Sequence, residues 1–171
     1  MGIGMSLYKN PCIMMHQRFD FFLLAMDQLI NNAAKWHYTY GGQKNVPITI
    51  RLIVGKGWGQ GPTHSQSFQS CFAHIPGLKV VMPALPMDAY ELLKKSINDP
   101  NPVIFIEHRW LHNVEEKYKK KMNKIAIGKS EFLSKGKDFT AITYSLSTIE
   151  LLSLKKFLNN NNIYFDLIDL K

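Results

Sequence analysis

Short apolar runs alternate along this chain with stretches of helical periodicity, and that alternation restricts the fold more than any other feature. Ile48–Val54 is β-branched and bounded by Pro47 and a glycine-rich stretch, so it reads as a strand. Pro11–Met15 and Pro102–Ile106 read as short buried strands, and Lys79–Met82 as a strand closed by Pro83. From Phe19 to about Tyr38 the apolar residues Phe22, Leu23, Met26, Leu29, Ile30, Ala33 and Ala34 recur at helical spacing, and Gly41-Gly42 ends the pattern. Ser67–His74 predicts a short helix ended by Pro76-Gly77. A further helix from Met87 to Ile97 carries Ala89, Leu92, Leu93 and Ile97 on one face. Strand and helix repeating with short connections imply an α/β fold, a mainly parallel sheet with helices on both faces.

His108 to about Lys124 is polar and lysine-rich and reads as a crossing linker. Beyond it Phe139–Tyr144, Ile149–Leu158 and Ile163–Leu170 form a strand-helix-strand unit. Two strands and one helix bury too little surface to stand alone, so this unit is expected to open a second α/β domain that is cut short. The expected division is 1–107, a linker at 108–124, and 125–171.

A length of 171 residues allows one domain and part of another, and 46% hydrophobic residues mark a globular rather than a disordered chain. Cys12 and Cys71 are too few for a disulfide framework, which favours a reducing setting. No targeting segment is visible in Met1–Leu7, and the longest apolar stretch, Phe21–Met26, is too short to span a bilayer. A cytoplasmic location is therefore expected in a bacterium, or the mitochondrial or plastid matrix in a eukaryote. The net charge of +8 raises the question of a nucleic-acid partner. The basic residues are mostly scattered lysines accompanied by many asparagines, which argues against one. The dense cluster Lys117, Lys119, Lys120, Lys121 and Lys124 falls in the expected linker, where a run of like charge is a solvated surface.

The most informative stretch is Gly55-Lys56-Gly57-Trp58-Gly59-Gln60-Gly61-Pro62-Thr63-His64-Ser65-Gln66. It follows a buried strand, where open α/β sheets place their binding crevices. Glycine at every second position lets the backbone approach a ligand closely and adopt positive φ. The stretch fits neither G-x-G-x-x-G nor the Gly-Lys-Ser/Thr ending of a P-loop, so it supports no nicotinamide or ATP site.

Together with its flanking segments, this loop resembles the beta subunits of thiamine-diphosphate-dependent 2-oxo acid dehydrogenases: the pyruvate, branched-chain and acetoin decarboxylase components. The matching segments are Phe19-Asp20-Phe21, Asp27-Gln28-Leu29-Ile30-Asn31, Ala33-Ala34-Lys35, Gly41-Gly42 and Val46-Pro47-Ile48. Further on they are His64-Ser65-Gln66, Ile75–Pro83 and Asp99-Pro100-Asn101-Pro102-Val103. Ile127-Gly128-Lys129 and Ile168-Asp169-Leu170 resemble the start of the family's C-terminal domain. The resemblance spans nearly the whole chain in order.

That resemblance implies a transketolase-like pyrimidine-binding domain. Thiamine diphosphate bridges two subunits: an alpha subunit holds the diphosphate through Mg²⁺, and the beta subunit receives the aminopyrimidine. By position, Phe21 is expected to stack against the aminopyrimidine. His64 matches the family's active-site histidine, which hydrogen-bonds the reacting acyl group or acts as general acid during transfer to a lipoyl group. Some relatives bind K⁺ through backbone carbonyls at positions matching Ile48, Ser96, Ile97, Asp99 and Asn101. The implied partners are the alpha subunit, a second beta subunit in a heterotetramer, and the lipoyl domain of an acyltransferase component. The implied reaction is oxidative decarboxylation of a 2-oxo acid, foremost pyruvate. His108 and His112 have a spacing that binds zinc on a helix, but with no third ligand evident they read as rim residues.

Thiamine chemistry also needs a carboxylate beside a ring nitrogen of the aminopyrimidine. In the family that Glu lies upstream of a Gly-rich helix which Gly2-Ile3-Gly4 matches, so it would precede Met1. Glu91, Glu107, Glu115, Glu116, Glu131 and Glu150 do not match its position. The chain is thus expected to be a fragment with negligible decarboxylase activity by itself. Two other readings share these features. One is a transketolase or deoxyxylulose-phosphate synthase fragment, whose pyrimidine domains share Gly-Pro-Thr-His; the other is an inactive remnant that only binds partner subunits. Ser65-Gln66 and Ile75–Pro83 favour the dehydrogenase.

Overall fold

The computed structural model describes residues 1–8, 10–117 and 125–171. Of the lysine cluster, Lys119, Lys120, Lys121 and Lys124 lie outside the described residues, as does the linker over 118–124. A short helix α1 (Gly2–Ser6) precedes four strands, β1 (Cys12–His16), β2 (Ile48–Val54), β3 (Lys79–Val81) and β4 (Val103–His108). These form one sheet in the order β1-β2-β4-β3, parallel throughout. Every residue of β2 except Arg51 is buried, as expected for an interior strand covered on both faces.

Strand alternation divides the core in two. Ile48, Ile50, Leu52 and Val54 join Ile104 and Ile106 on one face, beneath Phe19, Phe22, Leu29, Ala33 and Phe72. On the other face Val81, Val103 and Phe105 pack against Leu92 of a long helix (Pro86–Ile97) and against Ile125.

The helix expected from Phe19 to about Tyr38 is not continuous. It runs as α2 (Phe19–Phe22), a 3₁₀ turn at Leu23–Ala25, a π-helical segment at Gln28–Ala33 and α3 (Trp36–Thr39). Side-chain amides crowd the start of the widened segment, where Asn32 Nδ2 lies 3.5 Å from the Asp27 carbonyl oxygen. Asn31 Nδ2 donates to Asp27 Oδ1 at 2.8 Å, and the Ala34 amide reaches back to the Leu29 carbonyl at 2.9 Å, one residue further than an α-helix allows. After β2 come α4 (Gln69–Ala73), then β3, α5 (Pro86–Ile97) and β4.

The second unit corrects the expectation of two strands and one helix. It holds three strands, β5 (Glu131–Ser134), β6 (Phe139–Thr143) and β7 (Phe165–Asp169), ordered β5-β7-β6 with α6 (Leu146–Asn160) connecting the last two. β6 and β7 are parallel; β5 is antiparallel to β7.

A buried polar cluster ties the two sheets together. Lys171 Nζ donates to Asp88 Oδ1 at 2.8 Å, at the start of α5, and also to Glu131. Asp169 accepts from Thr148 Oγ1 at 3.0 Å. Burial pushes the pKa of Asp88 and of Asp169 up. Burial opposes the Lys171 charge, but its bonds to Asp88 and Glu131 outweigh that and hold its pKa above the ordinary lysine value. No helix among the described residues is long and apolar enough to cross a membrane.

Candidate functional site

β1 and β2 are adjacent and parallel, with His16 beside Leu52, so both chain exits leave the same end of the sheet. One exit becomes Arg18 and α2; the other becomes the glycine loop. Phe19 and Phe22 are inserted in the core at 0% and 2% exposure, whereas Phe21 stands 52% exposed. Gly57, Gly59 and Gly61 have φ of 68°, 72° and 75°, a conformation costly for any residue with a Cβ. Through them the loop turns back to a 3₁₀ turn at Pro62–His64.

That turn brings His64 to Phe21. Their ring centroids lie 5.2 Å apart at 81°, an edge-on contact. His64 is half-buried, and its Nδ1 lies 3.2 Å from Thr63 Oγ1. The two side chains expected to serve one site are therefore neighbours. Other groups complete the arrangement. Asp20, 8% exposed, accepts from the Gln66 amide at 3.2 Å and from Gln66 Nε2 at 2.8 Å. Trp58 Nε1 donates to the His64 carbonyl at 2.8 Å, and the Arg18 guanidinium lies over the Trp58 ring at 4.5 Å.

A family model described as the transketolase pyrimidine-binding domain matches residues 1–114. The chain belongs to that family. It is 38% identical over 152 residues to the beta subunit of acetoin:2,6-dichlorophenolindophenol oxidoreductase from Cupriavidus necator, covering 89% of this chain and 45% of that protein. It is 36% identical over 171 residues to the pyruvate dehydrogenase E1 component subunit beta of Rickettsia conorii, covering 100% of this chain and 52% of that one. The chain thus spans about half the length of the curated relatives it matches. Among solved structures, a split-gene transketolase in an inactive beta4 tetramer superposes with a TM-score of 0.78 at 19% identity, over 98% of this chain and 51% of that one. At that identity the likeness concerns the fold.

The remaining sequence-based candidates lie elsewhere in this pyrimidine-binding fold. Ile48 begins β2, Ser96 and Ile97 end α5, and Asp99 and Asn101 precede β4, so all five sit at the opposite end of the sheet from His64. There the Asp99 carboxylate accepts from Lys79 Nζ at 2.6 Å and from the Asn101 amide at 2.9 Å, and the Ser96 carbonyl accepts from the Asp99 amide at 3.2 Å. His108 ends β4, and its Nδ1 accepts from the Trp110 amide at 3.2 Å, capping a single 3₁₀ turn rather than standing on a helix with His112. Sequence reasoning gave no role to Arg18, Asp20 or Trp58. The available signal was one bulky aromatic in a run of glycines, and an acidic residue set between two core phenylalanines.

Proposed function

We propose that the chain supplies the pyrimidine-binding part of a beta subunit in a thiamine-diphosphate-dependent 2-oxo acid dehydrogenase. In this reading the assembled enzyme to which the subunit belongs oxidatively decarboxylates pyruvate and passes the acyl group to a lipoyl group. Residues 1–107 form the pyrimidine-binding domain and 125–171 the beginning of the C-terminal domain. An alpha subunit and its Mg²⁺ hold the diphosphate, and a second beta subunit completes a heterotetramer. K⁺ at the carbonyls of Ile48, Ser96, Ile97, Asp99 and Asn101 is part of the same proposal, supported by their common place at one end of the sheet.

The observation that carries this reading is the Phe21–His64 pair. An exposed phenyl between two buried ones offers an aromatic ring an apolar platform, and a half-buried imidazole stands at its edge. The aminopyrimidine of thiamine diphosphate fits such a platform. When bound, the cofactor supplies carbanion stabilisation; the protein supplies orientation and proton movement. Phe21 fixes the ring plane. With Nδ1 engaged by Thr63, His64 presents Nε2 to hold or deliver a proton at a substrate oxygen.

The test joins the chain to an upstream family segment that carries the pyrimidine-facing Glu and reconstitutes it with an alpha subunit, thiamine diphosphate and Mg²⁺. Cofactor binding is followed by titration and pyruvate decarboxylation by CO₂ release; without that Glu, turnover should be negligible. His64→Ala should lower turnover about 10²–10⁴-fold while cofactor affinity stays near that of the unsubstituted protein. Assembled subunits that bind no thiamine diphosphate, or a His64→Ala protein with unchanged turnover, would overturn the proposal.

A further inference from the structure

The geometry points to Asp20 and Trp58 as positioning residues that fix the His64 backbone so that its imidazole stands at the Phe21 ring. The effect on turnover rests on the function proposed above; the positioning itself does not.

Five consecutive residues, Arg18-Phe19-Asp20-Phe21-Phe22, divide their side chains between two tasks. Phe19 and Phe22 are held in the core, which fixes the direction of the three others. Those three all meet the glycine loop: Arg18 lies over Trp58, Asp20 bonds Gln66, and Phe21 touches His64. The backbone just after the His64 side chain is consequently fastened at two points. Its own carbonyl accepts from Trp58 Nε1 at 2.8 Å, and two residues later the Gln66 amide is fixed by Asp20 at 3.2 Å. Ser65 Oγ lies 3.2 Å from Trp58 Nε1 and donates to the Gly61 carbonyl at 3.1 Å, closing the turn that carries His64.

The loop needs such fastening. Glycines at 55, 57, 59 and 61 give it large conformational freedom, and few of its residues are buried. The Asp20 bonds are made to a carboxylate in a largely buried position, the stronger kind of hydrogen bond. Arg18 in turn steadies the Trp58 ring through its cation–π contact. Asp20 bonds Gln66 rather than the Phe21 or His64 side chains, so its influence on the site runs through the loop backbone.

Three variants test this. Asp20→Ala removes the acceptor for both Gln66 donors; Asp20→Asn keeps one carbonyl oxygen for them; Trp58→Phe keeps a smaller aromatic ring beneath Arg18 and removes the N–H with part of the indole. The first readout is the NMR signal of the His64 Cε1 proton in the cofactor-free protein, which the nearby Phe21 ring displaces. Asp20→Ala and Trp58→Phe should lose that displacement, and Asp20→Asn should retain it. The second readout is turnover in the reconstituted subunits. Asp20→Ala and Trp58→Phe should lower kcat about 10–100-fold with little change in KM, and Asp20→Asn should restore most of it. A merely structural role would lower the melting temperature and leave the His64 signal in place, which overturns the proposal. If Asp20→Ala does not fold, Trp58→Phe alone decides. A His64 signal that moves as expected in subunits that never turn over a 2-oxo acid would sink the proposed reaction and leave the positioning intact.

Discussion

Phe19→Ala and Phe21→Ala remove the same ring on either side of Asp20, and the structure assigns them opposite consequences. Phe19 is 0% exposed, with ring centroids 5.3 Å from Phe72 and 5.8 Å from Phe68. Its removal leaves a cavity that close packing cannot refill, at a cost of about 3–5 kcal/mol. Phe21 is 52% exposed, so only about half of a phenyl transfer free energy is lost, about 1 kcal/mol, and no enclosed cavity forms. If Phe21 serves the cofactor as proposed, the cost of losing it falls instead on the ligand. An aromatic pair contributes about 0.5–1.5 kcal/mol beyond area burial, so thiamine diphosphate should bind up to about tenfold more weakly. Urea denaturation at constant m-value measures the first pair of numbers. Cofactor titration in the presence of an alpha subunit measures the second. Two outcomes refute the reasoning: equal destabilisation by both substitutions, or a Phe21→Ala protein that binds thiamine diphosphate as tightly as the unsubstituted one.

Two further predictions concern the scaffold. Gly77 has φ of 98°, and a Cβ there would lie 2.0 Å from the Ala34 carbonyl oxygen, so Gly77→Ala must move backbone. It should cost at least ~2 kcal/mol by urea denaturation, whereas Gly57→Ala, with φ of 68° but open space around it, should cost ~1–2 kcal/mol; the reverse order would contradict the packing described. Asp169 is 0% exposed, its Oδ2 has no hydrogen-bond partner among the described residues, and burial holds its pKa above the ordinary value. The native state therefore retains the Asp169 proton where the unfolded chain has lost it, and this group's contribution to stability falls as pH rises above about 4. Asp169→Asn is neutral throughout, so its stability relative to the unsubstituted protein should rise between pH 4 and pH 7; a relative stability that falls over that range would contradict the assignment.

Much of the first sheet was legible because buried strands leave a local mark. Ile48–Val54 is observed with the expected limits, since its β-branched run needs no partner to be recognised. The long helical stretch was legible in its apolar spacing but not in its breaks. The breaks come with contacts that no periodicity encodes, such as the Ala34 amide reaching the Leu29 carbonyl and Gly77 seating against Ala34. β5 was missed for a related reason. Glu131–Ser134 is short and mixed in polarity, and it becomes a strand only by pairing with β7. In the site, Phe21 and His64 were reached through resemblance. Asp20 and Trp58 act through hydrogen bonds to backbone atoms, which any sequence possesses, so nothing in residue type announced their partners.

The parallel arrangement explains why these distant segments meet at all. Had β1 run antiparallel to β2, the segment from Arg18 to Phe22 would emerge at the end of the sheet opposite the glycine loop, and Phe21 would be a full strand length from His64. With the strands parallel, each connection leaves from the same end, and the core anchors Phe19 and Phe22 set how far α2 leans over the loop. The same logic separates the two ends of the sheet. The chain enters β2 and β4 beside Ile48 and Asn101, at the opposite end of these strands from the loop that carries His64. Those strands are mostly buried, whereas the loop is rich in glycine and fastened by a few hydrogen bonds. Substitutions at the entry end should therefore change stability before they change the placement of His64, and substitutions at Asp20 or Trp58 should do the reverse.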